Sequence, residues 1–134
     1  MEGYDLYIND KSGTIWGLVK AYALRNADHI EFNILYEGRQ LDEFILKNRD
    51  SLVERGKKKN KLFRSGEYLR FLFSDNLKSL IENIDFGYFK NYCVEDVSFY
   101  TDECEIISTI THEDQIYLKK GSAINSLIRT KYQL

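Results

Sequence analysis

Three short runs toward the end of the chain constrain its fold most. Residues 92–100 (YCVEDVSFY), 104–111 (CEIISTIT) and 115–120 (QIYLKK) are rich in β-branched and aromatic residues. They are separated only by the turn clusters Asp102-Glu103 and His112-Glu113-Asp114. Such runs read as strands. Connections this short favour antiparallel neighbours, because a parallel crossover needs a dozen residues or more. The final third is therefore expected to be an antiparallel meander.

Earlier segments add strands and helices in alternation. Residues 4–8 (YDLYI) alternate as a half-buried strand does, and Asp10-Lys11-Ser12-Gly13 is a turn cluster. Residues 14–27 carry Ile15, Val19, Tyr22 and Ala23 at helical spacing, with Ser12 or Thr14 as cap; Gly17 and the β-branched residues leave a strand as the alternative. Residues 29–37 put Ile30, Phe32, Ile34 and Tyr36 on one strand face. The spacing of Leu41, Phe44, Ile45 and Leu52 predicts a helix over 40–55, with Asp50-Ser51 as an interruption, Gly56 as its C-cap and a basic loop (KKKNK) after it. Residues 67–74 alternate with Leu69, Phe71 and Phe73 on one face, and Leu72 on the other suggests a central strand. Leu77, Leu80, Ile81 and Ile84 define a helix over 76–85 begun by Ser74 or Asp75, and residues 122–131 a closing helix capped by Ser122. The order β-α-β-α-β-α-β-β-β-α points to an α+β fold: a single mixed sheet of about five or six strands, with an antiparallel C-terminal meander and helices packed on its faces.

The chain has 134 residues, 43% of them apolar, and a net charge of −2. This suits one globular domain over residues 1–134 and excludes a disordered chain. No apolar run approaches the length of a membrane span. The acidic, polar start (MEGYDLYIND) is unlike a signal peptide, and two cysteines, Cys93 and Cys104, are too few for a disulfide framework. Both are expected as reduced thiols in a cytoplasmic protein. Proline is absent, so turns fall to Gly, Asn, Asp and Ser.

Enzyme signatures are missing. The eight glycines are scattered, with no G-x-G-x-x-G or G-x-x-x-x-G-K-[ST] loop, and no G-x-S-x-G elbow occurs. Cys93, Cys104 and His112 lack metal-ligand spacing, and His29 at a strand start is expected to be structural. His112 beside Glu113 has the composition of a general base, but neighbours on a strand point to opposite faces. A hairpin turn is the simpler reading. The expectation is a non-enzymatic protein without cofactor or metal.

Charge is unevenly distributed. Residues 55–64 hold Arg55, Lys57, Lys58, Lys59, Lys61 and Arg64 and no acid; this is a solvated loop, or a run that tracks phosphates. Residues 91–118 hold no Lys or Arg and seven acids: Glu95, Asp96, Asp102, Glu103, Glu105, Glu113 and Asp114. Tyr100 and Tyr117 lie among them. Acids and aromatics gathered on one sheet face would make a protein-binding surface; the plain alternative is that outward strand positions are polar anyway.

The segment Ser98-Phe99-Tyr100-Thr101-Asp102, then Glu105-Ile106-Ile107-Ser108-Thr109-Ile110-Thr111-His112-Glu113, then Ile116-Tyr117-Leu118, resembles the C-terminal hairpin of small bacterial immunity-type proteins encoded beside polymorphic or contact-dependent toxins. The resemblance covers about a fifth of the chain. It implies a stand-alone cytoplasmic inhibitor of one cognate toxin, without catalysis. The contacts expected from charge are Glu95, Asp96, Asp102, Glu103, Glu105, Glu113 and Asp114, with Tyr100 and Tyr117 as anchors, against a nuclease-like basic active site. The alternative is a nucleic-acid-associated or phage counter-defence protein using Lys57, Lys58, Lys59, Lys61 and Arg64.

Overall fold

The computed structural model describes residues 3–61 and 64–134, with side chains described throughout except at 58–61, 64 and 65. Seven strands form one sheet: β1 (Tyr4–Asn9), β2 (His29–Ile34), β3 (Leu52–Lys61), β4 (Arg64–Leu72), β5 (Val94–Thr101), β6 (Cys104–Ile110) and β7 (Gln115–Lys119). Their order is β1-β7-β6-β5-β2-β4-β3. Helix α1 (Thr14–Asn26) joins β1 to β2, α2 (Arg39–Lys47) precedes β3, α3 (Asp75–Glu82) leads toward β5, and α4 (Ala123–Tyr132) closes the chain.

Every strand pairing is antiparallel, so the sheet is not mixed. The expected meander is present as β5-β6-β7, and β7 then recruits β1. Strand β2 sits between β4 and β5 and joins the two halves.

The four helices share one face. Ile30 and Phe32 of β2, Leu69 and Phe71 of β4, Val97 and Phe99 of β5, and Leu118 of β7 are buried with Trp16 and Val19 of α1, Phe44 of α2, Leu77 and Ile81 of α3, and Ile124 and Ile128 of α4. Aromatic rings fill the centre: Phe44 meets Phe32 and Phe71 edge-on at 5.4 and 5.7 Å, and Trp16 meets Phe86 at 5.1 Å. Such offset pairs add to the free energy of burial itself.

Local chemistry sets the helix starts. Ser74 and Ser122 accept from the amides of Leu77 and Asn125 as N-caps. The cap of α1 is neither Ser12 nor Thr14. Gly13 occupies the N-cap position at φ 78°, and the buried carboxylate of Asp10 accepts from the amides of Ile15 (3.0 Å) and Trp16 (2.7 Å).

One expected element fails. The helix over 40–55 ends at Lys47, a 3-10 turn covers Arg49–Ser51, and β3 begins at Leu52. Gly56 is therefore a strand residue, not a C-cap. It opposes Tyr68, whose ring would lie 3.1 Å from any Cβ there. The basic run is likewise not a loop: Lys57, Lys58, Lys59 and Lys61 lie on β3 and Arg64 on β4 of a hairpin, with Lys57 opposite Glu67. The apolar pattern of 41–52 spans two elements, and the polarity of the lysines hid an edge strand. This is the seventh strand.

Candidate functional site

The sheet face opposite the helices carries a continuous polar row. Cross-strand partners point to the same side. The registers place Tyr7, Tyr117, Ser108, Ser98, Glu31, Arg70 and Glu54 in one line across all seven strands. Ser98 and Ser108 are fully buried, and their hydroxyls lie 3.3 Å apart. Arg70 donates twice to Glu31 Oε1 (3.1 and 3.0 Å) and stacks 4.5 Å from the centre of the Tyr100 ring. The Tyr100 hydroxyl lies 2.9 Å from Glu31 and 2.7 Å from Glu105, which also accepts from Tyr4 at 2.6 Å. Burial, then the charge of Glu105, pushes both tyrosine hydroxyls above their ordinary range. This row holds the sheet together with charge-assisted bonds.

The expected acidic contacts do not form one face. Glu95 and Asp96 are buried, as are Tyr100 and Tyr117. All four are held inside the protein rather than presented outward. Glu95 lies 2.9 Å from Nδ1 of His112. Asp96, at φ 52°, accepts from the Thr111 amide (2.8 Å), while its own amide donates to the Thr111 hydroxyl. Tyr117 packs edge-on against Tyr7 at 5.1 Å. Glu105 is drawn into the polar row, and Asp114 pairs with Lys90 at 2.9 Å. The remaining acids split between opposite ends of the β5-β6-β7 meander: Asp102 and Glu103 in the β5–β6 turn, Glu113 in the β6–β7 turn. The sequence window counts charge along the chain, and a meander folds that charge back on itself. The carboxylate that His112 contacts at 2.9 Å is Glu95.

The Asp102–Glu103 end nevertheless gathers acids from elsewhere. The Asp102 amide donates to Asp28 at 2.9 Å, and His29 Nδ1 lies 2.6 Å from the same carboxylate. Burial opposes the charge of Asp28, but these two partners outweigh it and hold the group below the usual carboxylate range. Asp28 lines an open depression of about 700 Å³ with Lys47, Asp50, Leu72 and Asp75. Asp50 and Asp75 are exposed and Leu72 is 50% exposed. Arg49 stands 3.9 Å from Asp50. The lining thus carries Asp28, Asp50 and Asp75 with Lys47 around the apolar Leu72, and the β5–β6 turn adjoins it through the Asp102 amide on Asp28. Asp28, Asp50, Leu72 and Asp75 were not read as site residues from the sequence: they lie at three separate junctions, α1–β2, α2–β3 and β4–α3, and no spacing links the three.

Among the described residues, no group of three or more His, Cys, Asp or Glu side chains is placed to hold a metal ion. No described helix is long and apolar enough to cross a membrane. Both cysteines are free, Cys93 just before β5 and Cys104 opening β6, at opposite ends of that hairpin. No family model, curated protein or solved structure matches the chain.

Proposed function

We propose that this chain is a non-enzymatic protein-binding module, an immunity-type inhibitor that neutralises a cognate bacterial toxin by covering a basic active site. One observation carries the reading: three carboxylates, Asp28, Asp50 and Asp75, line an open depression beside Lys47 with a half-exposed leucine at its wall, and the exposed Asp102–Glu103 turn is bonded to the first of them. Charged rims of this kind steer a partner of opposite sign, while a desolvated apolar contact slows its departure. The docking surface is thus the Asp102–Glu103 end of the sheet rather than the whole acidic window. The resemblance of the C-terminal hairpin to immunity-type proteins is consistent with this role, and the toxin partner is part of the proposal.

The test uses the protein product of a toxin gene adjoining this reading frame. Asp50→Lys/Asp75→Lys/Glu103→Lys should slow association about tenfold at low salt and flatten its salt dependence, as expected for removal of steering charge. Glu113→Lys, at the far end, should leave the rate unchanged. Equal rates for the triple variant and the parent protein would reject the surface. An adjoining toxin that never binds would reject the function.

A further inference from the structure

We propose that Cys104 and Lys119 form a peroxide-sensitive crosslinking site, in which oxidation of the thiol ends in a sulfur–nitrogen bond between the two side chains. Cys104 opens β6 and Lys119 ends β7, its neighbour in the sheet. Lys119 Nζ donates to Cys104 Sγ at 2.8 Å, which leaves no room for a water between them. The main chain around Lys119 is pinned: its carbonyl accepts from the Ser122 hydroxyl at 2.7 Å and from the Asn125 amide at 3.1 Å, and the residue pairs with Tyr4 of β1. The sheet thus fixes the main chain from which the Lys119 side chain reaches Cys104. Cys104 is part-exposed, whereas Cys93 is 1% exposed. A peroxide reaches the first and not the second.

The chemistry uses both partners. A lone pair on Cys104 sulfur attacks one oxygen of hydrogen peroxide. The O–O bond breaks, the departing hydroxide takes up the thiol proton as water, and the sulfur is oxidised to a sulfenic acid while the peroxide is reduced. The ammonium of Lys119 steadies the negative charge gathering on the departing oxygen. After losing a proton to solvent, the Lys119 amine attacks the sulfenic sulfur. The S–N bond forms, the S–O bond breaks, and the hydroxyl leaves as a second water with a proton from nitrogen. Sulfenic acids are known to condense with nitrogen in this manner, and a thiol reductant reopens the bond. The product ties the start of β6 to the end of β7 beside the polar row.

Treatment of the whole protein with hydrogen peroxide, followed by intact mass and tryptic mapping, tests this. The expected product is lighter by two hydrogens, contains a fragment joining the Cys104 and Lys119 peptides, resists trypsin after Lys119 and returns to the starting mass with dithiothreitol. Lys119→Arg should stop at the sulfenic acid, trapped by dimedone, and Lys119→Met should oxidise severalfold more slowly. Oxidation of Cys93 and Cys104 at equal rates would overturn the site. So would added oxygen with Lys119 still cleavable, or a Cys104-linked dimer as the main product.

Discussion

The polar row predicts a specific cost for Arg70→Leu. Glu31 is 1% exposed and receives two bonds from Arg70, whose own side chain is 27% exposed. Removing one member of such a pair leaves the other charge in a poor medium, at about 3–5 kcal/mol. Arg70 is partly wet and the Tyr100 hydroxyl remains 2.9 Å from Glu31, so the lower end applies, about 3 kcal/mol including the lost stacking on Tyr100. With a urea slope of about 2 kcal/mol/M, the midpoint should fall by about 1.5 M. The companion Glu31→Leu/Arg70→Leu removes the charge and its partner together. It should lie within about 1 kcal/mol of the parent, because replacing a buried pair by apolar groups is often near neutral. The coupling between the sites is then at least about 2 kcal/mol. Urea unfolding followed by far-UV circular dichroism reads all three proteins. A midpoint shift under about 0.5 M for Arg70→Leu, or a double variant as weak as the single, would refute the claim that this row is fastened by its charge pair.

Asp10→Ala removes the acceptor of two α1 amides and should cost about 1–2 kcal/mol by the same unfolding assay. Glu103 sits at φ 65° in the two-residue turn between β5 and β6, a conformation glycine adopts without strain. Glu103→Gly should raise stability by about 0.5–1 kcal/mol, and a lowered urea midpoint would contradict that turn geometry. Asp28 is held below its unfolded value, so its contribution is present above the unfolded carboxylate range near pH 4 and is lost as pH falls through the folded value. Asp28→Asn should therefore be less stable than the parent at pH 7, and the difference should shrink as pH falls through the folded value. The side chain is 44% exposed, so the difference at pH 7 stays below about 1 kcal/mol.

The parts of the fold legible in the sequence are those where one period runs uninterrupted. The β5-β6-β7 meander, α3 with its Ser74 cap and α4 with its Ser122 cap follow from local pattern and short connections. β3 was illegible because Leu41, Phe44, Ile45 and Leu52 keep helical spacing across a boundary set by the 3-10 turn at Arg49–Ser51. Four lysines at 57, 58, 59 and 61 also look like a loop when nothing reveals their strand partner. The cap of α1 was hidden for another reason: Asp10 reaches five and six residues forward, outside the usual capping distance. Among the candidate contacts, Asp102 and Glu103 lie on the surface as expected. Glu95, Asp96, Tyr100 and Tyr117 do not, because strand alternation places them but says nothing of whether their face is open to water.

That buried face bears on how a partner can approach. A sheet invites docking by strand addition at its edges. At β1 two main-chain acceptors are already taken: the Tyr4 carbonyl accepts from the Tyr7 hydroxyl at 2.7 Å, and the Asp5 carbonyl from Arg129 of α4 at 3.1 Å. Arg129 is held in turn by Asn125 at 2.7 Å and by Asp5 at 3.4 Å. At the other edge, the sequence of β3 carries Arg55, Lys57, Lys58, Lys59 and Lys61, charges of the same sign as the proposed partner. On the proposed reading, a basic partner would be steered away from both edges to the depression at the Asp28 end of the sheet, where Asp28, Asp50, Asp75 and Leu72 meet. Opening the β1 edge tests this division. Arg129→Ala should leave binding of a basic partner unchanged while raising the tendency of the protein to associate with itself, read by sedimentation. Weakened partner binding without self-association would place the docking surface at β1 instead.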